Sequence, residues 1–148
     1  MRASNHWPWL FPATYALHFA EEYAGGFNRW LSTIAGANLS DRDFIAINAI
    51  AFVVMSLAAA LAAYHPQSRW LIAALGTIVA LNAVLHVGGS MLTRSYSPGA
   101  ITGALLWFPL GLFALHRARN TLRSSSFALG VIVGLCLHGL VSLVALTS

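Results

Sequence analysis

Lysine is missing from the sequence, and charge of both signs is scarce. Eight arginines and four carboxylates (Glu21, Glu22, Asp41 and Asp43) make up 8% of the 148 residues. A soluble domain carries about 25% charged residues, so lipid rather than water is the expected solvent. The arginines sit singly at the ends of apolar runs, with no basic stripe carrying interleaved aromatics, which excludes nucleic acid as a partner. The single cysteine, Cys136, rules out an intrachain disulfide and a cysteine-based zinc motif. A signal-peptide layout is also missing. Met1 to Trp9 holds one Arg, two Trp and a Pro, and no small-residue cleavage pattern follows, so the first apolar segment is expected to be retained. There is no internal repeat and no low-complexity tract.

What is present is apolar: 58% of the residues are hydrophobic and the mean hydropathy is +0.71. The expected fold is an all-α integral membrane bundle of about five transmembrane helices, forming one domain over residues 1–148. The spans are expected at about 7–24, 44–64, 70–93, 98–116 and 127–146, the last four near the ~20 residues that cross a bilayer. Trp7, Pro8 and Trp9 open the first span as an interfacial aromatic group, and Gly25 and Gly26 end it. The stretch up to Asp43 reads as a polar loop. Ser40 with Asp43 resembles a capping box for the second helix, Pro66 closes that helix, and Pro109 is expected to kink the fourth. With five spans the termini fall on opposite sides. Arg2, Arg69, Arg117, Arg119 and Arg123 collect on the N-terminal side, against Arg29, Arg42 and Arg94 on the other. This bias favours a cell inner-membrane protein with a cytoplasmic N-terminus. Gly99/Gly103 and Gly130/Gly134 offer close-packing faces, either for the bundle itself or for a homo-oligomer.

The chemistry-bearing residues lie within the spans. His18, Glu21 and Glu22 share one helix face at i, i+3 and i+4, and Thr14 extends it. Asn82, His86 and Ser90 form a second stripe leading to Arg94. Gly130, Gly134, His138 and Ser142 form a third, whose small residues turn it into the bundle. At 1.5 Å per residue, His18 lies roughly 10 Å from the far end of its helix, His86 roughly 13 Å and His138 roughly 12 Å. Three histidines from three parallel helices therefore fall at one level. Glu21 and Glu22 lie a turn nearer the same surface, and Asn48 and Thr102 stand at the edge of the layer. His6, His65 and His116 fall at the opposite surface.

Each residue alone has an ordinary explanation. An intramembrane histidine or Asn82 can be a helix–helix hydrogen-bond partner, and Glu21 and Glu22 could snorkel to water and pair with Arg29 or Arg94. Two adjacent carboxylates nevertheless cost about 2–3 kcal/mol or more each at bilayer depth, which favours a functional site. Three uses follow. First, His18, His86 and His138 can bind zinc, with Glu22 or Glu21 as fourth ligand or general base and Asn82 polarising a substrate carbonyl. These ligand types resemble those of membrane hydrolases of the alkaline ceramidase and adiponectin-receptor group, without likeness of sequence. Iron ranks below zinc. Second, without a metal, Glu21 and Glu22 can act as an acid beside a base in an isomerase, a cyclase or an epoxide-opening enzyme. Third, the cluster can belong to a transporter or metal-binding module, which the lack of repeat halves disfavours. The leading expectation is an enzyme acting on a lipophilic small molecule.

The stretch His18-Phe19-Ala20-Glu21-Glu22 reads His-x-x-Glu-Glu. It resembles the motif that names the HXXEE family of small bacterial membrane proteins, and Asn82-x-x-x-His86 fits such a protein. The resemblance covers most of the chain and implies a multi-helix membrane protein with these residues at its centre. It implies no activity.

Overall fold

The computed structural model describes residues 6–148, so Arg2 lies outside the described residues. A single 3-10 turn, Trp7–Trp9, leads into α1 (Leu10–Gly25), followed by α2 (Phe27–Ala35) and α3 (Asp41–Tyr64). After a second 3-10 turn at Pro66–Ser68 come α4 (Leu71–Thr93), α5 (Ala100–Thr121) and α6 (Ser124–Thr147). No strand occurs among the described residues, and the all-α bundle is as the hydropathy pattern requires. Four helices, α3 to α6, are long and apolar enough to cross a membrane. By composition this is a membrane protein.

α1 also traverses the bundle. Its 16 residues rise about 24 Å, and the 3-10 turn before it adds about 6 Å. At one end, Trp7 packs edge-on against Phe113 of α5 at 5.1 Å, and Arg117 lies over the same indole at 5.9 Å. At the other end, the Ser148 carbonyl accepts a 3.0 Å bond from the Asn38 amide just before α3. Trp7 and Ser148 therefore lie at opposite ends of the bundle. α4 is its centre, packed against both α5 and α6 and buried through much of its length.

Local chemistry explains the boundaries. Gly26 stops α1 in the left-handed region at φ 73°, which glycine enters without the Cβ clash. Ser40 caps α3: its Oγ accepts the Asp43 amide at 3.1 Å and donates to the Asp43 carboxylate at 2.6 Å.

Two stretches differ from expectation. Residues 25–43 are not all loop, because Phe27, Trp30, Leu31 and Ile34 recur at helical spacing and form the apolar stripe of α2. Its shortness hides it from a span search. In α5, Pro109 follows a π-turn over Gly103–Trp107. Proline has no N–H to give and its ring would strike the Leu105 carbonyl, and the wider turn relieves both.

Candidate functional site

The site forms where the last turns of α1 and α4 meet the start of α5. At about 100° per residue, Glu22 stands about 40° to one side of His18 around α1 and Glu21 about 60° to the other. The two glutamates therefore face different neighbours.

Glu22 turns to α4 and is buried, as are His18 and His86. Its Oε1 lies 3.1 Å from His86 Nε2 and 3.5 Å from His18 Nε2. One donor atom from each of the three residues falls within 4.8 Å of the other two. The rings of His18 and His86 stand edge to face at 5.1 Å, and Trp107 stacks on His18 at 3.8 Å. The π-turn ends at Trp107 and so delivers that indole to His18. The outer ring nitrogens are held as well: His18 Nδ1 is 2.8 Å from Thr102 Oγ1, and His86 Nδ1 is 3.1 Å from Ser97 Oγ.

Glu21 turns to the start of α5. One oxygen accepts the amides of Gly99 and Ile101 and the Tyr96 hydroxyl, and the other accepts the Thr102 amide and hydroxyl. A carboxylate on the free amides of a helix N-terminus is favoured by both hydrogen bonding and the helix dipole. Partial burial and the Glu21 carboxylate push the Tyr96 phenol up to about 12, so it remains a donor. Glu21 was expected as an acid or base, but its accepting capacity is already used.

The turn Tyr96-Ser97-Pro98-Gly99 covers the histidines. Gly99 has φ 97°, and a Cβ there would lie 2.9 Å from His18 Cε1 and from His86 Cε1 and Nδ1. Ser97, fully buried, donates its amide to Ser90 Oγ at 2.9 Å. Tyr96, Ser97, Gly99 and Trp107 escaped sequence reasoning. The Pro-Gly pair was the available signal, since it marks a turn rather than a helix start.

The other expected residues are placed differently. His138 is buried on α6, but it stands outside the His18–Glu22–His86 group, so two histidines converge where three were expected. α6 packs on α4 but gives no residue to the group, which is built from α1 and α4. His138 Nδ1 is 3.0 Å from Ser142 Oγ. With His86, Asn82, Ser97 and Ser142 it lines a cavity of about 190 Å3, whose apolar wall includes Phe27, Trp30 and Leu31 of α2. Asn82 Oδ1, His138 Nε2 and His18 Nε2 are buried without a hydrogen-bond partner among the described residues. Asn48 lies off the centre, accepting the Tyr15 hydroxyl at 2.7 Å. Thr102 touches both His18 and Glu21. Glu21 and Glu22 form no ion pair with Arg29 or Arg94 among the described residues, since buried histidines and amides serve them instead.

The 3.1 Å separation of Glu22 and His86 is that of a hydrogen bond, and the 3.5 Å separation of His18 and Glu22 is longer than one. Ligands held about 2.0–2.1 Å from a tetrahedral ion lie about 3.3–3.4 Å apart, between the two separations seen here. The donor set, two imidazoles and a carboxylate, suits zinc with one position open.

No curated protein and no solved structure matches the chain. The family model described as "Protein of unknown function with HXXEE motif" matches residues 9–114, and the chain belongs to that family.

Proposed function

We propose that the protein is a membrane-embedded enzyme in which His18, Glu22 and His86 hold a zinc ion beside a cavity that takes part of a lipophilic small molecule. One observation carries this: three buried electron-pair donors from two helices fall within 4.8 Å of one another, with His86 shared between the group and the cavity wall. When bound, zinc supplies a Lewis acid and a water nucleophile at neutral pH. His138 is the group in the cavity wall that can take and return a proton, oriented by Ser142. Asn82 can orient a polar group of the substrate. A cavity of about 190 Å3 suits a single ring or a short chain rather than a whole sterol. Hydrolysis is the favoured reaction class.

The inner membrane with a cytoplasmic N-terminus is the preferred location. Arg69, Arg117, Arg119 and Arg123 belong to the N-terminal side, and Arg29, Arg42 and Arg94 to the other, which also holds all four carboxylates. A C-terminal alkaline phosphatase fusion is expected to be active and a C-terminal green fluorescent protein fusion dark.

The central test is elemental analysis of the detergent-purified protein, with short-chain p-nitrophenyl esters as the first substrates. About one zinc per chain is expected, lost on Glu22→Gln. A metal-free wild type would overturn the proposal. The 3.1 Å contact of Glu22 with His86 favours acid–base catalysis as the second reading, in which Glu22→Gln abolishes turnover and no metal is involved.

A further inference from the structure

The two glutamates of the motif are adjacent in sequence, yet only one faces the histidines. What the other does follows from counting protons. Glu21 accepts three backbone amides and two hydroxyls. Every partner is a donor toward it, so Glu21 acts as an acceptor throughout. Thr102 has a single hydroxyl proton, which goes to Glu21 Oε2. The Thr102 oxygen is also 2.8 Å from His18 Nδ1. Having given its proton away, Thr102 can only accept from His18, and Nδ1 must therefore carry a hydrogen.

We propose that Glu21 is a positioning residue which, through the Thr102 hydroxyl, fixes His18 as the tautomer protonated at Nδ1 and leaves the Nε2 lone pair facing Glu22. This explains why the buried Nε2 atom has no hydrogen-bond partner and why it stands off from Glu22 at 3.5 Å. A neutral ring of this tautomer has nothing to donate there. The same carboxylate ties the start of α5 to the end of α1, so one group sets both the backbone over the site and the face that His18 presents. A carboxylate relayed to a histidine is a known way of orienting a metal ligand, and loss of such a partner typically lowers metal affinity by about 10–100-fold. The inference rests on the hydrogen bonds alone and does not require that a metal binds.

The test is 15N NMR of histidine-labelled protein in lipid. The wild type is expected to show His18 protonated at Nδ1 and bare at Nε2. Thr102→Val keeps the methyl and the backbone amide bonded to Glu21 but removes the relay, and it is expected to move the proton to Nε2, toward Glu22. Thr102→Ser restores the hydroxyl and is expected to restore the wild-type signal. A bare Nδ1 in the wild type overturns the proposal, and so does an unchanged spectrum in a folded Thr102→Val protein. Glu21→Gln is the companion variant. It places an amide NH2 against at least one donor of the α5 N-terminus, so its melting temperature is expected to fall as well. Zinc titration of the same variants separates this proposal from the metal proposal: a wild type with the Nδ1–H tautomer but no zinc binding leaves the relay standing.

Discussion

Gly99 is wedged between His18 and His86, with no room for a methyl group: its Cβ would lie 2.9 Å from both rings. Its φ of 97° is also one that L side chains rarely adopt. Gly99→Ala therefore carries two separate penalties, about 1–2 kcal/mol of backbone strain and the displacement of two imidazoles. We expect a lower melting temperature in detergent and a zinc affinity reduced at least ~10-fold by chelator competition, the scale on which misoriented ligands lose metal. Gly88→Ala is the control. Nothing lies within 4 Å of a Cβ there, so the change should be neutral or stabilising by up to about 1 kcal/mol. Equal zinc affinity in the two variants would show that the Gly99 turn does not set the geometry of the site.

His86 and His138 line the same cavity but are assigned different work. His86→Ala removes a ligand and should abolish stoichiometric metal binding. His138→Ala should retain the metal and lose turnover by about 10²–10⁴-fold, the usual scale for a general acid or base. Metal content and initial rate measured on the same preparations check this. Loss of zinc in His138→Ala would return that residue to the ligand set.

The different fates of these histidines show what the sequence made legible. The i, i+4 spacing placed His18 and Glu22 on one face, and counting rise along parallel helices put His86 at their level. Both follow from helix geometry, which a sequence carries. Rotation of a helix about its own axis is set by partners. His138 follows Gly130 and Gly134, which approach α4 closely, and it lines the cavity instead of joining the group. Likewise, helical spacing could not tell Glu21 from Glu22, because their difference lies in the neighbours each one meets. The cover over the site depends on one left-handed residue in a four-residue turn, and no periodicity reports such a feature. The spans were legible because lipid demands long apolar runs, whereas α2 was not, because a short helix at a surface does not need one.

Trp107 stacks on His18 at 3.8 Å with its indole N–H buried and without a partner among the described residues. Its role is then the flat face rather than the donor. Trp107→Phe should keep the stacking, the metal and most of the stability. Trp107→Ala should leave a cavity costing about 3–5 kcal/mol and free the His18 ring to rotate. Thermal unfolding and metal content of the pair give the check. A Phe variant as damaged as the Ala variant would mean that the indole nitrogen has a partner that matters.

Gly130 and Gly134 were read from sequence as a close-packing face serving either the bundle or a second copy, and the structure puts them to use within the chain. A Cβ at Gly130 would lie 2.5 Å from the Trp70 carbonyl oxygen, and one at Gly134 would lie 2.7 Å from that of Ala74. Both neighbours are backbone atoms, one in α4 and one in the residue just before it, that cannot swing aside as a side chain can. Gly134→Val must therefore push α6 off α4. Overpacking of this kind typically costs about 1–3 kcal/mol, and it should also open the cavity that His138 and Asn82 line, so both melting temperature and turnover should fall. Gly139→Val, at a position with nothing within 4 Å of its Cβ, should change neither. Light scattering of the detergent complexes supplies the discriminating measurement. Packing inside the chain predicts that Gly134→Val lowers the melting temperature without altering the number of chains per particle. A variant that lost a subunit while melting as the wild type does would instead place the glycines between copies.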